Sequence, residues 1–308
     1  MVQRITREPR NLKLAFDPRH SPIARVEVGE TVVFETANNF ALYRQMNSDT
    51  DLVSSLPPLI QLNPCTGPVH VDGAQPGDTL VVEILDIRVA DKGHICLLPK
   101  IGILHKYTIT PHTKIFRIKD GKTILNENMA FSVRPIIGTY GTTPAWPVPC
   151  IMPGPHPGNL DDTNAVIGAR FHMPVFVPGA LFLIGDVHAN QGDAEVAMGV
   201  ECDAEVTLRF AELIKGRSRP TAIIETPLRW SIPGDAYTLE EAVERATKAA
   251  TDFIMERTGV TREEATYAMC AVGDLRISQA AVAGYNVTVR AEIPKDVDRR
   301  GRLQSAWD

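Results

Sequence analysis

The segment LIGDVHANQGDAE, residues 183–195, places Asp186, His188, Asp193 and Glu195 within ten positions. Carboxylates and an imidazole can bind a divalent cation or move protons. Alternate residues of a strand share a face, so Phe182, Ile184, Asp186 and His188 are expected along one side. An apolar run would then end in polar groups at the rim of a pocket. An Asp and a His two residues apart suit zinc, and the carboxylate also suits calcium. An isolated Asp-x-His is more simply a strand-end cap beside an exposed imidazole, but this one has company. In EVAMGVE (195–201), the same alternation puts Glu195, Ala197, Gly199 and Glu201 on one face, with small residues leaving room for a ligand.

Upstream, PGPHPGNLDD (153–162) reads as an ordered Gly/Pro loop carrying His156, Asn159, Asp161 and Asp162. Its distance from Asp186 allows one strand and a return, which would bring the loop over the strand end. Before it, GTYGTTPAWPVP (138–149) is a proline-stiffened loop in which Trp146 is a candidate apolar wall, with Arg134 and Tyr140 nearby.

These residues must be held by sheets. ARVEVGETVVFET, GAQPGDTLVVEILDIRV, PVFVPGALFLIGDVH and EVAMGVECDAEVTLRF read as short strands between Gly/Pro turns, and KIFRIKDGKTIL reads as a hairpin through Asp120-Gly121. YTLEEAVERATKAATDFIMERTG then changes to helical periodicity, with Thr238 and Glu241 as a capping box and Gly259 as the stop. Thr261 and Glu264 open a second helix. The expected fold is α+β and mainly β: sandwich- or barrel-like sheets with a C-terminal helical pair packed against them. One domain is expected across 1–308, strand-rich over about 1–230, with the helical pair at about 238–272 and a final strand at about 284–293.

Composition narrows the function classes. A net charge of −5 and a pI of about 5.9 give no basic stripe for nucleic acid. The basic run Arg299, Arg300, Arg302 is expected to be a frayed tail. No apolar run reaches membrane-span length and the N-terminus lacks a signal-peptide core, so a cytoplasmic location is expected. The five cysteines (65, 96, 150, 202 and 270) contain no CxxC pair and suggest neither a disulfide framework nor a cysteine zinc site. Cys65 and Cys150 have no local base and read as buried structural thiols. There is no GxSxG elbow, Walker loop or strand-borne GxGxxG.

NPCTGPVHVDGAQPGDTLVVEILDI, PGPHPGNLDD, GALFLIGDVHANQGDAE and GDLRISQ, in that order, resemble the acetamidase/formamidase family from about residue 60 to 295. The resemblance implies hydrolysis of short aliphatic amides to carboxylate and ammonia, a divalent metal (zinc first, calcium second) and a homo-oligomer. The chain departs from the family pattern at Pro157-Gly158, where Gly-Gly is usual, and at Ala194, where Gly is usual. On this reading Asp161, Asp186 and His188 hold the metal. Glu195 and His156 are the catalytic candidates, with Glu195 activating water and returning the proton to nitrogen. Asn159, Trp146 and Glu201 hold substrate or complete the shell. The alternatives are the same scaffold acting on a different amide or carbamate-like compound, and a non-catalytic metal- or ligand-binding β domain.

Overall fold

The computed structural model describes residues 2–51, 58–98, 101–107, 110–281 and 285–307. Two large sheets dominate it. The first runs, in spatial order, Gln3–Ile5, Thr31–Thr36, Ala204–Ile214, Thr79–Val89, Arg170–Pro174, Ile223–Glu225, Arg229–Ala236, Val287–Pro294 and Asp274–Gln279. The second centres on Phe182–His188, which pairs with Ile136–Gly141, Glu201–Cys202 and Cys65–Val71. The expected hairpin forms between His112–Lys119 and Lys122–Ile124, with Asp120 and Gly121 both at positive φ, as a type I′ turn requires.

The sheets pack face to face. Phe34 and Phe210 from the first sheet meet Phe182 from the second edge-on, at centroid distances of 5.8 and 5.5 Å. Tyr140 stacks on Phe171 at 3.6 Å across the same interface. Val82, Ile84, Val206, Leu208, Ile137 and Ile184 fill the remainder of this core.

A second core lies under the helices α1 (Leu239–Thr258) and α2 (Arg262–Val272), where Ala242, Ala246, Ala250 and Phe253 cover Trp230, Ile232 and Val289. The helix starts are where the sequence puts them. Thr238 caps α1 through the Glu241 N–H, and Thr261 with Glu264 forms the reciprocal box on α2. The small stripe of α1 lets it sit close to the sheet: a Cβ on Gly234 would lie 2.4 Å from the Ala246 nitrogen. The final strand is Val287–Pro294. Residue 284, where it was expected to begin, lies outside the described residues.

One strand was not expected and two expectations are corrected. GDLRISQ contains a strand of its own, Asp274–Gln279, paired with Val287–Pro294. EVAMGV is not a strand. Regular pairing resumes only at Glu201–Cys202, because Ala194 and Glu195 both adopt positive φ and break the extended path. The C-terminal tail is not frayed either. Leu303 and Ala306 are buried against the helical core, the Trp230 indole donates to the Leu303 carbonyl at 2.7 Å, and Arg257 Nε and Arg219 Nη2 donate to the Ser305 and Ala306 carbonyls. Two apolar side chains and a set of satisfied carbonyls outweigh the solvation of the arginines around them.

Candidate metal centre

The central strand delivers Asp186 and His188, but not by simple alternation. Phe182, Ile184 and Val187 belong to the inter-sheet core, whereas Leu183 packs on the opposite side with Phe16, Cys65 and Cys150. The phase slips by one because Asp186 sits at φ 56°. The expectation that Phe182, Ile184, Asp186 and His188 line one side is therefore corrected: the first two face the core, Asp186 faces a cavity on the other side, and His188 meets Asp186 and Glu201 at the edge of that cavity.

That cavity, about 70 Å³, is lined by Asn63, Asn159, Asp161, Asp186, Glu195 and Glu201 on its polar side. Leu62, Ile101, Ile151, Met152, Met198 and Tyr285 form much of the rest. Among the described residues, eight non-glycine positions have positive φ, and four of them are Asn63, Asp161, Asp186 and Glu195. Such strain is held in place by surrounding structure and concentrates at functional sites.

Unpartnered atoms mark the chemistry. Asp161 Oδ1, Asp186 Oδ1, His188 Nε2 and Glu201 Oε2 are all buried without a hydrogen-bond partner. Candidate ligand atoms of Asp161, Asp186 and His188 lie within 4.8 Å of one another, as do those of His188, Glu195 and Glu201. His188 Nε2 is 3.1 Å from Glu201 Oε1 and 3.6 Å from Asp186 Oδ1. Buried polar atoms left open together are costly unless something binds them. Three carboxylates and an imidazole nitrogen are a donor set that a divalent cation fits.

The opposite carboxylate oxygens are tied down. Asp186 Oδ2 accepts from Asn63 Nδ2 at 2.7 Å and from Thr139 Oγ1 at 3.1 Å. Asp161 Oδ2 accepts from Asn159 Nδ2 at 2.6 Å, and Asn159 Oδ1 accepts from both Asn63 and Thr139. Glu195 Oε1 accepts the Gly199 N–H at 3.0 Å. Gly199 itself is required by packing, since a Cβ there would lie 2.3 Å from His188 Nδ1. The smallness read from EVAMGVE as ligand space thus makes room for the imidazole at Gly199 and for the cavity at Ala197.

Crowded carboxylates resist ionising together. Burial pushes Glu195 up to about 8, helped by Glu201 and Asp186 and opposed by His188. Burial likewise pushes Glu201 up to about 8. Asp161 rises well above the ordinary range through burial and the charges of Glu195 and Asp186. Burial alone would lower His188, but Glu201 and Asp186 outweigh it and hold the imidazolium.

Other sequence candidates are elsewhere. Trp146 is 64 % exposed and does not line the cavity; its proline-stiffened loop turns the indole to solvent. His156 does not line it either: the ring lies edge-on to Phe16, and burial drives its pKa down to about 3, leaving it neutral. Asp193 pairs with Arg290 Nη2 at 2.8 Å, and Asp162 accepts from Ser231 and faces Arg290 Nε at 3.3 Å. These two carboxylates join the loops to the Val287–Pro294 strand. Cys65 and Cys150 are buried free thiols, and burial raises Cys65 well above its ordinary value.

Asn63, Thr139 and Gln191 escaped the sequence reading of the site, although Asn63 precedes the Pro-Cys of the NPCTGP motif. The one available signal was an Asn, a residue that tolerates the left-handed region, just before a proline. Ala194 has φ 76°, and an L side chain is strained there. Ala194→Gly is expected to raise stability by about 1 kcal/mol in urea unfolding.

Fold and site together define a mainly β protein whose central strand ends in a buried carboxylate–imidazole cluster able to hold a metal ion. The chain belongs to the Acetamidase/Formamidase family, whose model matches residues 2–150 and 148–299. It is 34 % identical to a Bacillus halodurans acetamidase of known structure, covering 95 % of this chain and 97 % of that one with a TM-score of 0.89. A predicted acetamidase/formamidase from Thermoanaerobacter tengcongensis is 32 % identical, with 96 % and 97 % covered and a TM-score of 0.90. The Mycolicibacterium smegmatis acetamidase is 25 % identical, with 55 % of this chain and 58 % of that protein covered. The chain thus matches little more than half the length of that curated relative. No helix among the described residues is long and apolar enough to cross a membrane.

Proposed function

We propose that the chain is a metal-dependent hydrolase of the linear C–N bond in small amides, releasing carboxylate and ammonia. The observation that carries this reading is the set of open ligand atoms on Asp161, Asp186 and Glu201, which line one small cavity with Glu195, and on His188, which meets Asp186 and Glu201 at its edge. A purely structural cation site needs no adjoining cavity. At about 70 Å³ this one has room for about two waters, which suits a small amide rather than a large one.

A divalent cation held by these residues would polarise the amide carbonyl and acidify water. The imidazole nitrogen in the donor set favours zinc over calcium, which prefers an all-oxygen shell. Glu195 has one oxygen fixed by the Gly199 N–H, and its carboxylate, on the cavity wall, is the group placed to take a proton from the attacking water. Its proton affinity lets it hold that proton and then pass it to the amide nitrogen, which leaves as ammonia. Asn63 and Asn159 keep the carboxylates oriented, while Leu62, Ile101, Ile151 and Met152 face the acyl group.

The test is ammonia release from formamide, acetamide and longer amides by protein stripped of metal and then reloaded with zinc or calcium. Release from the short amides that returns with one ion is the expected result. Stoichiometric metal binding with no release from any amide would leave a binding role for the site.

A further inference from the structure

Gln191 lies outside the cavity wall, yet its amide touches two of the candidate ligand residues. Nε2 donates to the Asp161 carbonyl at 2.8 Å and leans on the Ser278 carbonyl at 3.4 Å. Oε1 is 2.7 Å from His188 Nδ1. The two carbonyls can only accept, so the NH2 end of the amide must face them. Oε1 then faces the imidazole and can only accept as well. When a cation takes the place of the Nε2 proton, the proton that remains therefore belongs on Nδ1, and the lone pair on Nε2, which has no hydrogen-bond partner and faces Asp186 and Glu201.

We infer that Gln191 is a positioning residue for the metal centre: its one amide fixes the His188 tautomer and ring while pinning the backbone of Asp161. Asp161 is tied to the neighbouring strand by its N–H to the Gly138 carbonyl at 3.3 Å, and Gln191 adds a side-chain link from its carbonyl directly to His188. Groups that hold the far nitrogen of a metal-binding histidine keep it in the ligating tautomer and raise its basicity, and losing one costs about 10–100-fold in metal affinity. Gln191 does this through a neutral amide. That adds no further negative charge to a cluster already holding Asp161, Asp186, Glu195 and Glu201.

The inference rests on the metal reading of the site, and zinc affinity, measured by competition with a chromophoric chelator, separates the two. Gln191→Met keeps length and removes all three hydrogen bonds. It is expected to weaken zinc by about 10–100-fold, with a thermal midpoint in the zinc-free state close to that of the parent. Gln191→Glu keeps an acceptor for the Nδ1 proton and loses the donor, and should lose less affinity than Gln191→Met. Variants that both bind zinc as the parent does would overturn the inference and leave the metal reading intact, as would a Glu variant as weak as the Met variant. Parent protein that binds no zinc would remove both readings. Should Gln191→Met fail to fold, 15N spectra of the parent zinc complex decide: a His188 proton on Nδ1 supports the inference, and one on Nε2 overturns it.

Discussion

Glu195→Gln protein is expected to fold and bind its cation, yet release ammonia from a short amide about 10²–10⁴-fold more slowly than the parent. The amide side chain has nearly the same shape, and its carbonyl oxygen can still accept the Gly199 N–H that fixes Glu195 Oε1. What disappears is the group that exchanges a proton. Amide hydrolysis needs that exchange twice, once from water and once to nitrogen. Removing it should lower kcat with little change in KM or in zinc affinity. Gln is neutral without taking up a proton on folding, a cost that Glu195 carries between about 4.5 and about 8, so in that window the metal-free variant should unfold at a higher temperature than the metal-free parent. A variant with parental kcat would remove Glu195 from the mechanism, whatever its stability.

Chelation is expected to have the second large effect, and its size should depend on pH. Asp161, Asp186, Glu195 and Glu201 face one cavity, and a cation that binds only the folded chain stabilises it by about 2.7 kcal/mol at a hundredfold excess over Kd. For a chain of this size that corresponds to a fall in Tm of about 4 °C when the ion is removed. The sign of the pH effect follows from the raised carboxyl groups. In the metal-free fold Glu195 and Glu201 keep their protons up to about 8, whereas in the unfolded chain they lose them near the ordinary value of 4.5. Between these limits the folded state binds more protons, so metal-free stability falls as pH rises from about 4.5 to about 8 and levels off above. The His188 proton, also held more tightly in the fold, acts in the same direction. Zinc replaces those protons, so the loaded protein should show a much flatter profile over the same window. Calorimetric scans with and without chelator at pH 5 and pH 8 measure this directly. An equal chelator effect at both values would contradict the carboxylate cluster as the source.

The sequence by itself determined the kinds of group at the site and the outline of the frame. Asp161, Asp186, His188, Glu195 and Glu201 were legible because carboxylates and an imidazole interrupt apolar, Gly-punctuated segments, and the structure brings all five together. The helical pair was legible because its caps and small-residue stripe are local, a few residues wide. How the site groups converge was not. Period-2 reasoning assumes extended dihedrals throughout, and one left-handed residue at Asp186 moved His188 off the face that carries Ile184. Left-handed turns at Ala194 and Glu195 converted an expected strand into a loop that still returns Glu201 to the cavity. Asn63, Thr139 and Gln191 stayed hidden because an amide or hydroxyl becomes informative only when its partner is known, and the partners of Asn63 lie 96 and 123 residues away. Trp146 and His156 were near the site in sequence but do not line the cavity, since proximity along a proline-rich loop does not decide which way a side chain points. Donor chemistry is a property of residue type and can be read along the chain. Which donors are left unpaired is a property of the packed state, because every competing hydrogen bond has to be formed before the vacant lone pairs can be counted.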